Sequence, residues 1–440
     1  MIAEFTVENY RSFKKKCTFS LISTKDKDLS GDNTFKLNKN LHLIRSAVIY
    51  GANASGKSNF FQALDFLLFF SIKSGPSMQI DEPTGTDVFA FSKQTENKPS
   101  FFEISFYIIE DTEIKVKYRY GLSLTENEIV KEYLYAIYNV REVNLFNREG
   151  QEINITSYFK EGNRSKQSVR NNCSFLSVCA QNNGKISTEI IRYFKNMFVN
   201  SGIYNNSYIT GKMLKDQKNK NKILKFLQNA DIQITGIKTE IMHLNSKDYE
   251  APEVPEIQAF LNFLKKEMPG IEEQEKFYFG HPFYDGKKVI GEKYLSENNE
   301  SDGTQKLFSY SLPILNALEK GTPIFIDEFD NSLHPLIIEN ILRFFNSSDF
   351  NKKNAQLVIS CHAVNIMRKD LLRRDQIWFC EKDEYGATDL FSLKKYNDPV
   401  RKDASYNKNY LQGKYGAIPR KYSDIPYFNE ILQHTEQTSL

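Results

Sequence analysis

Cysteine is scarce in this sequence, and the few cysteines stand at irregular spacing. None of them forms a Cys-x-x-Cys pair, so neither a disulfide framework nor a zinc site is predicted. A chain without disulfides suits a reducing compartment, and we expect this one to work in the cytoplasm. The cysteines are Cys17, Cys173, Cys179, Cys361 and Cys380.

Long apolar runs are absent too. The best candidate, residues 63–72, contains Asp65 and is far shorter than the roughly 18 residues that a membrane-spanning helix needs. The first residues carry charges with no apolar segment behind them, which argues against a secretion signal. We therefore expect no membrane partner.

The chain also has no strong excess of charge of either sign. Its net charge is +3, so any nucleic-acid binding would have to come from local patches and not from the field of the whole protein. Hydrophobic residues make up 40% and charged residues 26%, which is ordinary for a globular protein with a real core. The length of 440 residues suits two domains, or one large domain with an insertion.

Hydrophobic patterning divides the chain into three parts. Residues 1–150 alternate polar and apolar side chains near the N-terminus and again over 101–109 and 114–124, which predicts antiparallel strands. Residues 151–294 are rich in Asn, Lys and Gln, with helical periodicity over 190–198 and 257–268, and we interpret them as a mostly helical insertion.

Residues 295–440 return to strong patterns. A helix over 306–318, a buried strand over 323–326, a helix from Pro335 and a strand over 356–360 follow one another. Buried apolar strands that alternate with helices predict an α/β fold with a mostly parallel, covered sheet.

A phosphate-binding loop is the strongest motif. Residues 51–58 read Gly-Ala-Asn-Ala-Ser-Gly-Lys-Ser, after an apolar strand and before a predicted helix. The backbone N–H groups of such a loop point at phosphate oxygens, and the helix adds its positive end. Lys57 is predicted to contact the β- and γ-phosphates, and Ser58 to ligate Mg²⁺. The alternative is a chance turn before a helix. The predicted nucleotide-binding residues here are Gly51, Asn53, Ala54, Ser55, Gly56, Lys57 and Ser58.

A pair of acids supplies the second half of the predicted site. Asp327 and Glu328 end the buried strand of the C-terminal part. Asp327 is predicted to bind Mg²⁺, and Glu328, one residue on, to act as the general base for the attacking water. The alternative is an ordinary strand that ends in solvated carboxylates.

Three further segments resemble parts of one ATPase class. Residues 330–335, Asp-Asn-Ser-Leu-His-Pro, resemble the D-loop of ABC-type heads, and His362 ends the next strand, where such heads carry a switch histidine. Residues 300–306 resemble the ABC signature through Ser301 and Gly303, although Asp302 replaces a glycine. Taken alone, a serine and a glycine at a helix start form only a capping motif.

The order of these motifs resembles the ATPase heads of chromosome-maintenance and double-strand-break-repair proteins. It is more similar still to OLD-type ATPases and their AAA-family relatives in bacterial abortive-infection and anti-phage systems, including members that lack a Toprim nuclease domain. This resemblance implies an ABC-type head with a mostly parallel sheet, an antiparallel β subdomain and a helical insertion. It also implies ATP and Mg²⁺ as ligands, held between two heads that close face to face, in a dimer or higher oligomer.

The sequence departs from that class at three places. No coupling glutamine is obvious, and Glu103 is the nearest candidate; the insertion is too short for long coiled coils. Fewer than eighty residues follow His362, and their acids Glu381, Asp383 and Glu384 flank Tyr-Gly-Ala, which is typical of a hairpin turn and not of a nuclease centre.

Two basic segments are candidates for contact with DNA or RNA. Residues 212–225 carry six lysines, and residues 394–421 mix basic residues with tyrosines. Such mixtures suit phosphate contact and base stacking. The alternative is a solvated helix face and a polar tail.

Three functions are consistent with these features. The first is a sensor or regulator in anti-phage defence that controls a separate effector, such as a toxin or nuclease. The second is a DNA-binding ATPase for repair or end processing. The third is a scaffold that ATP merely assembles, and Glu328 argues against it because a scaffold needs no general base.

Overall fold

The computed structural model describes residues 1–38, 41–110, 113–138, 141–201, 217–230, 232–243, 273–396 and 405–419. The helix predicted over 257–268 lies outside them. The described strands are β1 Ile2–Glu8, β2 Cys17–Ser20, β3 Thr34–Asn38, β4 Leu41–Ile44, β5 Ser46–Tyr50, β6 Ser100–Glu110, β7 Glu113–Leu124, β8 Ile129–Tyr138, β9 Arg141–Glu149, β10 Glu152–Ile155, β11 Phe198–Asn200, β12 Gly236–His243, β13 Glu273–Asp285, β14 Lys288–Ser296, β15 Ile324–Ile326, β16 Leu357–Ser360, β17 Ile377–Lys382 and β18 Thr388–Ser392.

The described α-helices are α1 Lys57–Ser77, α2 Lys93–Glu96, α3 Phe175–Gln181, α4 Lys185–Lys195, α5 Gln217–Asn229, α6 Asp302–Lys320, α7 Pro335–Asn346 and α8 Tyr406–Leu411. Short 3₁₀ helices span Ser157–Arg164, Lys166–Ser168, Glu297–Asn299, Val364–Ile366, Arg374–Gln376 and Leu393–Lys395. In the part of the chain that the structure describes, no helix is long and apolar enough to cross a membrane.

A mostly parallel sheet holds the C-terminal motifs beside the phosphate loop. Its order is β11-β15-β16-β5-β17-β18, and only the β17–β18 pair is antiparallel. Every residue of β5, β15 and β16 is buried, which is why these strands appear in the sequence as short continuous apolar runs. The predicted parallel sheet is confirmed.

An antiparallel sheet forms the second layer, in the order β10-β9-β8-β7-β6-β1-β2. Residues such as Phe102, Leu122 and Leu134 alternate along these strands and are fully buried. Helix α1 supplies the opposing apolar surface, because Phe60, Leu64 and their neighbours recur at helical spacing and join the same core. The predicted α/β fold with an antiparallel β subdomain is confirmed.

Residues 157–195 pack on this antiparallel layer. Glu132 of β8 accepts hydrogen bonds from the backbone N–H groups of Phe175 and Leu176, at 2.7 and 3.0 Å, and so caps α3. Phe175 and Ile190 join the main core. The predicted helix over 190–198 begins earlier and ends earlier, as α4, because the chain straightens into β11 and extends the parallel sheet.

The chain divides into two compact units. The first comprises Met1–Gly202, Lys320–Asp330 and Ile338–Leu440, and the second comprises Ile203–Glu319 and Asn331–Ile337. This division differs from the predicted insertion over 151–294, since residues 151–201 belong with the first unit. The described part of the second unit contains the three-stranded sheet β12-β13-β14 as well as helices, and strand alternation over 273–296 accounts for it.

The acids near residue 383 form a turn. Strands β17 and β18 pair as a hairpin, and the Asp383 carboxylate accepts hydrogen bonds from the N–H groups of Tyr385 and Ala387 at 2.9 and 2.8 Å. Gly386 has φ +80°, which suits the left-handed corner of the turn. The predicted hairpin is confirmed.

Candidate functional site

The loop over residues 51–56 connects β5 to the first turn of α1. Ala54 and Gly56 adopt positive φ, +60° and +107°. Left-handed residues within a short loop direct successive N–H groups toward one point, where they form an anion-binding concavity at the helix start. The phosphate loop predicted from the sequence therefore has the backbone that such a function requires.

Packing explains why glycine stands at both ends of this loop. A Cβ atom on Gly51 would lie 2.3 Å from the carbonyl oxygen of Cys380, and one on Gly56 would lie 2.2 Å from Oγ1 of Thr388. The loop is thus seated directly against β17 and β18. Any side chain at these positions would displace the backbone of the loop.

Lys57 is held over the loop that precedes it. Its Nζ donates hydrogen bonds to the carbonyl oxygens of Gly51 and Ala52 at 2.9 and 3.0 Å. Burial lowers the pKa of Lys57, while the carboxylates of Asp327 and Glu328 act in the opposite direction. The phosphate-loop lysine and the acid pair therefore meet at one edge of the parallel sheet.

Asp327 fits the role of a metal ligand. One carboxylate oxygen accepts a hydrogen bond from the Ser360 hydroxyl at 2.5 Å, whereas its other oxygen, Oδ2, is buried and has no hydrogen-bond partner among the described residues. A buried unpaired carboxylate oxygen costs free energy unless a cation or donor meets it. Ser58, in the first turn of α1, offers a hydroxyl of the kind that completes Mg²⁺ coordination together with phosphate oxygens.

Glu328 follows in a conformation that non-glycine residues rarely adopt, with φ +48°. Its N–H donates to Oγ of Ser360 at 2.7 Å. Ser360 thus fixes both acids, since it donates to Asp327 and accepts from Glu328. The sequence does not predict this role for Ser360, and its one signal there is the position at the end of β16, two residues before the predicted histidine. Strained backbone of this kind is concentrated at functional sites.

His362 is positioned by Asp330. The backbone N–H of His362 donates to the Asp330 carboxylate at 2.7 Å, which ties the end of β16 to the loop after β15. Burial, and then the positive charge of Lys57, lower the pKa of the His362 ring, against the opposing effect of the nearby carboxylates. The ring is therefore neutral at pH 7 and above, and a neutral ring donates one N–H without adding a second cation beside Lys57.

The lowered pKa predicts a pH dependence. The neutral ring is favoured in the folded protein, so its contribution is present above the ordinary imidazole value of about 6.5 and is lost as pH falls through the lowered pKa. His362→Gln keeps a neutral donor at every pH. The ratio of wild-type to variant ATP turnover should be constant above the ordinary imidazole value of about 6.5 and should fall as pH drops through the lowered pKa. Protonation of ATP affects both proteins equally, so a ratio unchanged into the acid range would contradict this role.

The residues predicted as the ABC signature lie in the second unit. Ser301 is exposed, and its hydroxyl accepts a hydrogen bond from the N–H of Thr304 at 3.2 Å, which caps the first turn of α6. A Cβ atom on Gly303 would lie 2.6 Å from the carbonyl oxygen of Ser332. The helix start is therefore packed against the predicted D-loop. Contact of Ser301 and Gly303 with ATP stays a prediction.

Other residues around the phosphate loop carry no sequence signal. The Ser12 hydroxyl accepts from Nδ2 of Asn59 at 2.7 Å and lies 2.8 Å from the hydroxyl of Thr388. In contrast, Glu103 lies within β6, where its carboxylate binds Arg119 at 3.0 Å. The carboxylate of Glu103 serves the antiparallel sheet, and nothing in its contacts supports a coupling role.

Two lysines of the basic segments predicted to contact nucleic acid form ion pairs within the protein. Lys222 pairs with Glu319, and Lys394 pairs with Asp26. In the tail, Tyr406, Tyr410 and Tyr415 are buried, so their rings face the core and not a nucleic-acid base. Residues 212–216, 397–404 and 420–421 of these segments lie outside the described residues.

Comparison with known proteins adds a family. The SMC head domain from Thermotoga maritima is 13% identical, with a TM-score of 0.40 over 89% of this chain and 98% of that one. An Smc head domain from Pyrococcus yayanosii, with a coiled coil and joint, is 11% identical, with a TM-score of 0.41 over 94% and 99%. No curated protein matches. One protein family matches residues 46–368, a stretch that includes the phosphate loop, the acid pair and His362. The chain belongs to this family, which is described as AAA domain, putative AbiEii toxin, Type IV TA system.

Proposed function

We propose that this chain hydrolyses ATP in a site completed by a second copy, and that it acts as a sensor or regulator in bacterial anti-phage defence. The observation that carries the ATPase proposal is the convergence of Lys57, Asp327 and Glu328 at the ends of α1 and β15, with Ser360 bonded to both acids. An ordinary strand that ends in solvated carboxylates would not bury Asp327 with one oxygen unpaired.

Each side chain has a role that follows from its surroundings. The loop N–H groups and Lys57 bind the β- and γ-phosphates, which places the terminal phosphorus near the acid pair. Ser58 and Asp327 would hold Mg²⁺, whose charge offsets that of the phosphate oxygens when the metal is bound. The Glu328 carboxylate orients the attacking water and takes its proton. His362 donates its ring N–H toward the γ-phosphate.

A second copy is proposed to complete the site through α6. The N-terminus of a helix attracts anions, and Ser301 is exposed at the start of this one. Gly303 allows the helix start to approach the predicted D-loop closely, since any side chain there would meet Ser332. We infer that Ser301 and Gly303 face the γ-phosphate bound by the partner copy.

Mixing two inactive variants tests whether the site is shared. Lys57→Ala removes the phosphate-loop cation, and Ser301→Arg blocks the helix start. In a mixed dimer with two-fold symmetry, one site carries both defects and the other carries neither. Equal mixing should therefore restore ATP turnover to about a quarter of the wild-type value, because about half of the dimers are mixed and each has one intact site. Phosphate release measures the outcome.

A second pair of variants provides the control. Lys57→Ala mixed with a second phosphate-loop variant, Gly56→Asp, should stay inactive because every mixed site keeps a damaged phosphate loop. If the Lys57→Ala and Ser301→Arg mixture also stays inactive, although both variants fold and associate, the site is not shared between copies.

The defence role rests on the family and not on the site. Its description includes the words putative AbiEii toxin and Type IV TA system, which point to toxin–antitoxin biology. We propose that the ATP-bound pair holds or releases a separate effector, such as a toxin or nuclease. Co-purification of the chain with the products of its neighbouring genes tests this. An effector that elutes with the chain in ATP and without it in ADP supports the proposal, and equal elution in both nucleotides contradicts it.

A further inference from the structure

A cleft of about 530 Å³ opens at one end of the antiparallel sheet, apart from the phosphate loop. Its floor is a row of three paired residues on neighbouring strands, since Glu8 of β1 pairs with Phe101 of β6, and Phe101 pairs with Ser123 of β7. Its walls are the turn between β1 and β2 and the segment that leads into β6. The volume lies in the range of roughly 300–1,000 Å³ that ligand sites typically occupy.

The cleft is strongly basic. Lys14, Lys15, Lys16 and Lys98 line it, against the single carboxylate of Glu8. In the described part of the chain, none of these four lysines has a carboxylate within ion-pair distance. Lys222 and Lys394, in contrast, each form an ion pair with a carboxylate. Four cations gathered around one concave surface repel each other unless an anion offsets them.

An aromatic ring adds a second kind of recognition. The Phe101 ring is partly exposed at the floor of the cleft, and Nζ of Lys16 lies 5.2 Å from its centre. Cationic side chains that follow a backbone, combined with an aromatic face, are what single strands of nucleic acid bind. A folded acidic protein would require no aromatic floor, and a duplex would not enter a cleft of this size.

We propose that this cleft binds a single strand of nucleic acid, with the lysines on its phosphates and Phe101 against a base. This surface is distinct from the basic segments at 212–225 and 394–421. The lysines contact phosphates without selecting among bases, so binding is expected to depend little on sequence and strongly on salt.

The turn that forms one wall also contacts the phosphate loop. Ser12 lies two residues before Lys14, and its carbonyl oxygen accepts from the N–H of Thr388 at 2.7 Å. The Thr388 hydroxyl lies 2.8 Å from the carbonyl oxygen of Ser55 in the phosphate loop. A strand that orders the turn therefore acts on the loop through Ser12 and Thr388. We expect it to stimulate ATP turnover, and this second step rests on the proposed function, whereas strand binding does not.

The triple variant Lys15→Glu, Lys16→Glu, Lys98→Glu tests the binding. All three side chains are exposed, so the fold should tolerate the change. Affinity for a fluorescein-labelled oligothymidylate, measured by anisotropy without ATP, should fall at least tenfold. The matched control reverses three exposed lysines elsewhere in the same unit, Lys160, Lys166 and Lys185, and should bind as the wild type does. Equal loss in both variants, or no loss in the first, overturns the proposal.

The salt dependence gives an independent measure. Replacing the same three lysines with Gln should reduce the slope of log affinity against log salt by about 2, since each phosphate contact on a single strand contributes about 0.7. An unchanged slope would show that these lysines do not touch phosphates. Competition distinguishes the ligand: unlabelled strand should displace the probe at far lower nucleotide concentration than thymidine monophosphate or duplex does. Displacement by the monophosphate or duplex at equal concentration overturns the assignment to a single strand.

Turnover measurements separate this inference from the proposed function. Lys57→Ala should bind the oligothymidylate normally but hydrolyse no ATP. The triple Glu variant should keep basal turnover and lose its stimulation by the strand. If the wild type binds the strand through the cleft but hydrolyses no ATP, the proposed ATPase function is wrong. The proposal that the cleft binds a single strand is then unaffected. If the wild type hydrolyses ATP but the strand stimulates the triple Glu variant as much as the wild type, the link between strand binding and ATP turnover is wrong. The proposed ATPase function is then unaffected.

Discussion

Glu328→Gln should lower ATP turnover by about 10²–10⁴-fold while ATP still binds, because an amide cannot take the proton of the attacking water. The two side chains have the same shape, and the N–H of residue 328 still donates to Ser360. Lys57 and Asp327 are untouched, so affinity for ATP should change little. The ATP-bound pair proposed above should therefore persist, since hydrolysis is what would release it.

Two measurements check this expectation. Phosphate release under saturating ATP and Mg²⁺ gives turnover, and light scattering after gel filtration gives the oligomeric state with ATP, with ADP and with no nucleotide. Glu384→Gln is the matched control, since it makes the same change at an exposed turn of the same unit and should behave as the wild type does. A Glu328→Gln protein that stays monomeric with ATP and hydrolyses it normally would exclude Glu328 as the base.

The phosphate loop and the acid pair could be predicted because their constraints are local. Eight consecutive residues set the loop, and the strand before it and the helix after it are visible as periodic patterns. Likewise, Asp327 and Glu328 follow a run of buried residues that only a covered strand explains. In both cases, the residues that determine the backbone are neighbours in sequence.

Ser360, Ser12 and Thr388 could not be predicted, because their roles depend on pairs far apart in the chain. Ser360 acts on acids more than thirty residues before it, and Thr388 meets Ser12 across 376 positions. The Ser360 contacts arise only once β15 and β16 pair, and the Thr388 contact arises only once β18 lies beside β2 and the turn before it. A serine or threonine at a strand end carries no pattern that distinguishes this role from an ordinary cap.

The tail tyrosines illustrate a wrong prediction, because the same sequence pattern can have more than one physical cause. Basic residues interleaved with tyrosines suggested base stacking, yet Tyr410 stacks on Phe379 with ring centres 5.3 Å apart. Aromatic side chains serve cores as readily as nucleic-acid surfaces, and composition alone cannot tell which face is covered. The basic cleft is invisible in the sequence for a related reason, since Lys98 comes near Lys14 and its neighbours only because β1 pairs with β6.

The start of the insertion, predicted at residue 151, could not be located from the sequence either. Residues 151–201 are polar enough to resemble a separate arm, but a few buried groups fix them to the antiparallel sheet. Glu132 and Arg148, on β8 and β9, are both completely buried. Nothing in the sequence around either residue shows that its charge will lie inside the protein, since charged residues in strands usually face solvent.

These two residues form the centre of the network. The Glu132 carboxylate accepts hydrogen bonds from Tyr120 and Ser174, and from the N–H groups that begin α3. Arg148 lies 3.4 Å from that carboxylate and donates to the carbonyl oxygens of Cys173 and Gly150 at 2.6 and 2.7 Å. Most of these bonds join the sheet to the start of α3 or to the segment just before it, so the pair holds that part of the chain in place.

Removing one partner of such a pair should be costly. Glu132→Ala leaves the Arg148 guanidinium buried without its counter-charge, and α3 without its cap, so the free energy of unfolding should fall by about 3–5 kcal/mol. The neighbouring Lys131 provides the control. It pairs with Glu149 at 3.6 Å on an exposed surface, and Lys131→Ala should cost only about 0–1 kcal/mol.

Trp378 is the single tryptophan and lies in β17 of the same unit, so its fluorescence during urea unfolding reports the stability of this unit without interference from the other.

The two variants should also differ in limited proteolysis, with new cleavage near α3 only in Glu132→Ala, because that helix loses its attachment first. If both substitutions lower the free energy of unfolding by the same small amount, the buried pair does not hold residues 157–195 against the sheet. In that case their attachment would come from apolar contacts such as those of Phe175 alone.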